Sequence, residues 1–387
     1  MKNKLTMTMQ CLGFTAAMLF SVGAAEPAMT NFWTLDTARG GIVHTIQAGS
    51  DAQPVVLNMQ GRKVVMQVRV DRAAGLSYKA RFFQVDPDLT KKGWVMADVK
   101  ADSNPTLEVN GRPLRCDVPS TVAFDGMLNV VYPASEGIVA TRTVYCSQRN
   151  PVVVEEWQLR NATDKSLTVD FKAPAKVTNA TENTLLAWTG QGPASTVVKP
   201  GDTVSLAVCL QARPKDGPDT NSVIDVAAEH AARRALTEAA WRGSGRLETP
   251  EPLLDLAFAL QKLHVLECPI ETYKGVITHN GSLTYSPGIW ANDPVEYSSP
   301  LFPFFGDAEL NRAAMNMYRV WLDHCRQNGI VPFPGSFEGP ALKLGSSGFF
   351  MGNPIGYNGS RRAWSHARYR TLSPCLGIGE TLESGSC

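Results

Sequence analysis

Between about residues 30 and 215 the apolar positions alternate with polar ones. Val64, Met66, Val68 and Val70 interleave with Val65, Gln67, Arg69 and Asp71. Leu167, Val169 and Phe171 interleave with Thr168 and Asp170, and Val204, Leu206, Val208 and Leu210 with Ser205, Ala207 and Cys209. A period of two turns one face of a strand to a core and the other to polar surroundings. Turn formers separate the runs: Asn110-Gly111, Asn161-Ala-Thr-Asp164 and Lys199-Pro-Gly-Asp202. The pattern predicts a β-sandwich.

Near residue 221 the period changes. Ser222 and Asp225 have the spacing of a capping box, and Ala227 to Trp241 is alanine-rich without Gly or Pro, which predicts a helix. Gly243-Ser-Gly245 and Pro250 break it. A second helix is predicted just after Pro252, from Leu253, Leu256, Leu260 and Leu263. A long loop is expected from Pro269 to Phe305. Then Leu310, Ala314, Met317 and Trp321 mark one face of a third helix, with Gly329 placed to end it. Structureless connections beyond about 12–15 residues tend to be functional. This one holds Tyr273, His279, Asn280, Tyr285, Trp290, Asn292, Asp293, Glu296 and Tyr297.

Composition narrows the possibilities. The chain has 387 residues, 44% hydrophobic and 19% charged, with a formal net charge of +1. This is enough apolar material for real cores, and the neutral balance argues against nucleic-acid binding. Lys2 and Lys4 precede an uncharged stretch, Leu12 to Val22, followed by Gly23, Ala24 and Ala25. That order is the one a secretory signal has, so export to a periplasm or beyond is expected, with residues 1–25 removed. Seven of the eight cysteines lie beyond the signal, with no C-x-x-C pair among them. Cys209 falls in an apolar run and is expected in a core; Cys116 and Cys146 are candidates for a bridge. No zinc helix, Walker motif or nucleophile elbow is present, and no cofactor or metal is expected.

The candidate chemistry lies in Gly288-Ile-Trp-Ala-Asn-Asp-Pro-Val-Glu-Tyr297. Asp293 and Glu296 stand three apart with Pro294 stiffening the chain between them, and Trp290 and Tyr297 flank them. Aromatic faces stack on sugar rings, and carboxylates bind hydroxyls or exchange a proton with a glycosidic oxygen. An acid beside an aromatic wall can hold its proton near neutrality. By residue type alone a structural alternative stands beside this one: the two acids cap the next helix or pair with an arginine. Trp290 is open between stacking and burial. Asp307 is expected to cap the helix that follows it. Glu155 and Glu156, adjacent in a strand, are expected to point to opposite faces.

The stretch Trp290-Ala-Asn-Asp-Pro-Val-Glu-Tyr-Ser-Ser-Pro-Leu-Phe-Pro-Phe-Phe-Gly-Asp307 and the following Leu310-Asn-Arg-Ala-Ala-Met-Asn-Met-Tyr-Arg-Val-Trp-Leu322 resemble the six-hairpin glycosidase superfamily. This group includes α-L-rhamnosidases, glucoamylases, trehalases and glycogen-debranching-like proteins. The resemblance covers about residues 250–340 and is architectural only over 30–220. It implies a β-sandwich of the supersandwich kind over 26–220, a linker helix over 221–249, and the first hairpins of an (α/α) barrel over 250–340. It also implies a carbohydrate substrate and hydrolysis by inversion, with one acid protonating the leaving oxygen and a second carboxylate about 6.5–9.5 Å away activating water. Glu296 falls where the family carries its general acid and Asp293 where a sugar-hydroxyl contact lies, with the roles exchangeable. Trp290, Asn292 and Tyr297 fall at subsite positions.

A barrel of twelve helices needs roughly 300–400 residues at ordinary helix and loop lengths. Far fewer follow the expected sandwich, so an incomplete barrel is expected, with no position for the catalytic base. Ser360 to Cys387 has no Asp, Asn, Val, Phe or Lys, which makes 341–387 an aberrant tail. A broken reading frame between about Leu342 and Ser360, or a truncated gene, is expected. An inactive fragment or a carbohydrate-binding sandwich is the alternative to a hydrolase.

Overall fold

The computed structural model describes residues 33–328 apart from 37–39, 47–53, 72–73, 84–93, 101–103, 175, 217–223, 273–274, 280–282 and 284–297. Among the described residues nineteen strands and three α-helices run in order. The strands of the first half are β1 (Trp33–Leu35), β2 (Ile42–Thr45), β3 (Val55–Gln60), β4 (Val64–Asp71), β5 (Gly75–Phe83), β6 (Trp94–Val99), β7 (Thr106–Val109), β8 (Arg112–Pro113), β9 (Thr121–Phe124) and β10 (Leu128–Val131). Then come β11 (Ile138–Cys146), β12 (Val152–Asn161), β13 (Leu167–Lys172), β14 (Val177–Asn179), β15 (Thr184–Gln191), β16 (Ser195–Val198) and β17 (Thr203–Pro214). The last part holds α1 (Val226–Arg242), α2 (Pro252–Glu267), β18 (Pro269–Thr272), β19 (Gly275–Thr278), a 3₁₀ helix (Ser299–Phe305) and α3 (Ala308–Asn328). The predicted class holds: antiparallel sheets first, then a few helices.

A nine-stranded sheet runs in the order β1-β2-β9-β10-β11-β12-β17-β15-β14. Two four-stranded sheets, β3-β4-β5-β6 and β16-β13-β7-β8, share one apolar core with it. The alternation in β4 does what its period demands: Val64, Met66, Val68 and Val70 are buried in that core. Asn110 (φ 51°) and Gly111 (φ 76°) make the tight turn between β7 and β8, where both positive φ angles suit an Asn-Gly pair. Asn161 closes the next connection, taking the Thr163 amide on Oδ1 at 2.9 Å and donating to Lys165 and Val198 carbonyls.

Three expectations need correction. In β17 both faces are buried from Leu206 to Leu210, where alternation predicted one polar side. Leu206, Val208 and Leu210 enter the main core, while Cys209 meets Met127, Tyr145, Val152, Val154 and Ile224 on the reverse face. The chain leading into α1 covers that reverse face, so small apolar residues serve there as well. The cap of α1 is Asp225 itself, whose Oδ1 accepts the Ala228 amide at 3.0 Å, rather than a box begun at Ser222. The expected long loop after α2 contains the hairpin β18–β19 and the 3₁₀ helix. Ile270 and Ile277 face each other across that hairpin, both buried, in strands too short for a period to register.

The helices α1 and α2 form where predicted, but their burial differs. α1 buries a polar stripe, Glu229, Arg233 and Thr237, together with Ala240. In α2 the second half is buried at Leu263 and Leu266, while Leu253 and Leu254 in the first turn are more than half exposed. In α3, Leu310, Ala314 and Met317 are buried as the spacing predicts; the side chain of Trp321, and Gly329, lie outside the description. Among the described residues no helix is long and apolar enough to cross a membrane. Cys116 and Cys146 carry free thiols, without the bridge their spacing allowed.

Candidate functional site

Trp290, Asn292, Asp293, Glu296 and Tyr297, the residues expected to carry the chemistry, lie outside the described residues. Both flanks of their segment are described, and each is held by buried contacts.

The upstream flank is the β18–β19 hairpin and His279. Arg62, just after β3, accepts the Glu271 amide on its carbonyl at 3.0 Å, and the His279 amide donates to the Cys268 carbonyl at 3.2 Å. His279 is buried, with its ring edge-on to Phe83 at 6.3 Å between centroids. Burial alone drives its pKa down to about 3, so the imidazole is neutral at ordinary pH. Its Nε2 then accepts from the Gln60 amide nitrogen at 2.5 Å, and the same nitrogen donates to the Glu267 carbonyl at 2.7 Å. The downstream flank is the 3₁₀ helix, with Phe302 and Phe305 buried, followed by Asp307. Asp307 Oδ1 accepts the Glu309 and Leu310 amides at 2.8 and 2.9 Å, so it caps α3 as expected.

Behind the upstream flank lies a network of buried charge. Arg233 of α1 is fully buried. Its guanidinium donates to the Gly126 carbonyl through Nε at 2.9 Å and Nη2 at 2.5 Å, to the Gln60 carbonyl through Nη1 at 2.8 Å, and to Glu267 Oε1. Burial pushes the Glu267 carboxyl up, but Arg233 and then His264 outweigh it and hold the group below its ordinary value. Gly126 must be glycine here: φ is 107°, and a Cβ would sit 2.2 Å from Thr237 Cγ2. Beside it, buried Glu229 accepts from Ser147 Oγ at 2.6 Å and Asn150 Nδ2 at 2.5 Å. Arg233 and Glu267 neutralise each other and Glu229 is met by neutral donors, so the network fastens α1 to β3 and to the Gly126 turn.

Two further acids were adjacent in the sequence, and the structure separates them as their strand position requires. Glu155 faces the sandwich interior, where it pairs with Arg142 and accepts from Tyr78 Oη at 2.7 Å. Glu156 faces α1, where its Oε1 takes Tyr145 Oη at 2.6 Å and His230 Nδ1 at 2.7 Å. His264, expected to be a helix residue rather than a ligand, contacts Glu267 at 3.3 Å.

Sequence reasoning missed Arg233, Glu267, Gln60 and the Arg142–Glu155 pair. A signal for the first did exist: Glu229, Arg233 and Thr237 recur every four residues on one face of α1. A polar stripe ordinarily reads as solvated, because the helix alone does not reveal which face meets the protein.

A shallow groove of about 430 Å³ runs between α1, the hairpin and the start of α3. Arg62 pairs with Glu309 (2.9 Å) on its wall, and Lys63 pairs with Glu271 (2.9 Å) beside it. Ala232, Ala235 and Ala239 form much of the floor. Among the described residues no group of three His, Cys, Asp or Glu side chains is placed to hold a metal ion.

No protein-family model matches the chain, and no curated protein matches it. Among solved structures, a chain described as a kojibiose phosphorylase from the human microbiome aligns with a TM-score of 0.42 and 7% identity, over 70% of this chain and 47% of that one. A polysaccharide lyase aligns with a TM-score of 0.23 and 15% identity, over 40% of this chain and 33% of that one. The chain spans about half the length of the phosphorylase chain it matches. The likeness is a distant structural one to carbohydrate-active enzymes.

Proposed function

We propose that the chain is an exported glycoside hydrolase, or the N-terminal portion of one, acting on oligo- or polysaccharides. The observation that carries this is the Trp290–Tyr297 segment, where two carboxylates three apart stand between two aromatics. Glu296 protonates the leaving glycosidic oxygen; in the inverting reaction a second carboxylate, assigned to no residue of this chain, activates water on the opposite face of the sugar. Asp293 binds a sugar hydroxyl, and Trp290, Asn292 and Tyr297 line the subsite. The buried flanks support the reading, because a segment that must place a proton donor needs fixed ends. The division into a sandwich, a linker helix and the first barrel hairpins belongs to this proposal. So does export, which rests on the charged, apolar and small-residue order of residues 1–25.

Hydrolysis of aryl glycosides by the purified chain tests it. Glu296→Gln is expected to keep carbohydrate binding and to lower kcat about a hundredfold or more, as loss of a general acid does. Unchanged hydrolysis in that variant removes Glu296 from the role, and a greater loss in Asp293→Asn exchanges the two acids. Binding of polysaccharide with no turnover in the wild type removes the reading of this chain as an active hydrolase and favours a non-catalytic fragment or a carbohydrate-binding module.

A further inference from the structure

Helix α1 is tied to its surroundings by two carboxylates, and each has a histidine on it. On the sheet side, Glu156 of β12 takes His230 Nδ1 at 2.7 Å. On the other side, Glu267 of α2 takes His264 Nδ1 on Oε2 at 3.3 Å while Oε1 holds Arg233 of α1. Both imidazoles are about 40% exposed, so protons reach them from solvent.

We propose that the contact of α1 with the nine-stranded sheet is a pH-sensitive clasp, closed by the His230–Glu156 pair, while the His264–Glu267 pair lies within α2. The surroundings of both rings favour the charged form. Around His230 stand Glu156 and Tyr145 from the sheet, Asp125 from the turn after β9, and Arg234 on α1 itself, paired with Asp125 at 2.6 Å. Around His264 stand Glu267 on its own helix and Arg233 from α1, with the Cys268 thiol on its carbonyl at 3.2 Å. In both cases the hydrogen bond to the carboxylate raises the histidine pKa, against a smaller opposing effect of burial.

The sign follows from linkage. A base whose folded pKa lies above its ordinary 6.5 contributes stability that is full below 6.5 and lost as pH rises through the folded value. The clasp is therefore tight at and below pH 6.5 and loosens on the alkaline side. Loss of charge on His264 leaves Arg233 as the main cation on buried Glu267, so the α2 side of α1 holds while the sheet side loosens. Arg233 and its carbonyl partners keep the helix docked throughout, and the change is one of tightness.

The proposal is independent of the glycosidase reading. Hydrogen exchange of the whole chain at pH 6.5 and 9, corrected for the intrinsic rate, measures it. Protection of α1 amides is expected to fall about two- to fivefold as the His230–Glu156 pair is lost, the range of a partly exposed ion pair, with β11 and β12 little changed. The His230→Gln variant is expected to flatten this dependence. Equal α1 protection at both pH values overturns the proposal, as does an unaltered dependence in that variant. Should that variant fail to fold, imidazole titration of the wild type by NMR decides: a His230 midpoint above 6.5 supports the clasp, and one at or below 6.5 overturns it.

Discussion

At the residue scale, the buried ions carry sharp consequences. Arg233 makes four hydrogen bonds from a fully buried guanidinium, joining β3, the Gly126 turn and α2. Removing one partner of a buried pair costs more than the pair gains, because the other charge is left without compensation. Arg233→Met is expected to cost about 3–5 kcal/mol by urea unfolding. Pairing it with Glu267→Gln is expected to restore part of that loss, since the stranded carboxylate is then gone. The cysteines show the opposite behaviour. Burial pushes the Cys209 and Cys268 thiols up to about 12, which makes them packing groups rather than nucleophiles.

At the element scale, each helix start depends on one acid. Asp225 caps α1 and Asp307 caps α3. Replacing either with alanine is expected to cost about 1 kcal/mol, read from the midpoint of thermal or denaturant unfolding. Asp307→Ala also strips the fixed end from the segment upstream of α3, so on the proposed function it lowers hydrolysis beyond its effect on stability. Helix positions were legible from the sequence because periodicity and breakers are local: Pro252, Gly243 and the leucine spacing place them. Hairpin β18–β19 was not legible, since four-residue strands beginning at a proline and a glycine give no period.

At the scale of the whole molecule, pH acts through a group deep in the junction. His279 has its folded pKa depressed to about 3 by burial, against an ordinary 6.5. The unfolded chain thus binds the proton first, and the stability owed to the neutral ring is lost as pH falls from 6.5 toward 3. The wild-type urea midpoint is expected to drop between pH 7 and 4, and His279→Leu to show a shallower drop. Glu267 adds to this at lower pH: its depressed carboxyl contributes stability above 4.5 that is lost on further acidification. With the histidine clasp loosening on the alkaline side, the junction is firmest near neutrality.

The sequence by itself determined the fold class, the strand-then-helix order, the opposite faces of Glu155 and Glu156, and the cap at Asp307. Each follows from spacing along the chain, which fixes where a side chain points from its own strand or helix. It also singled out Asp293 and Glu296, which stand as a proposal. Only the tertiary structure decided which face of α1 meets the sheet, why β17 is apolar on both sides, and that Arg233, Gln60, Glu267 and His279 meet. These residues are up to 219 positions apart, and burial of a charge becomes visible only once its partner is brought to it.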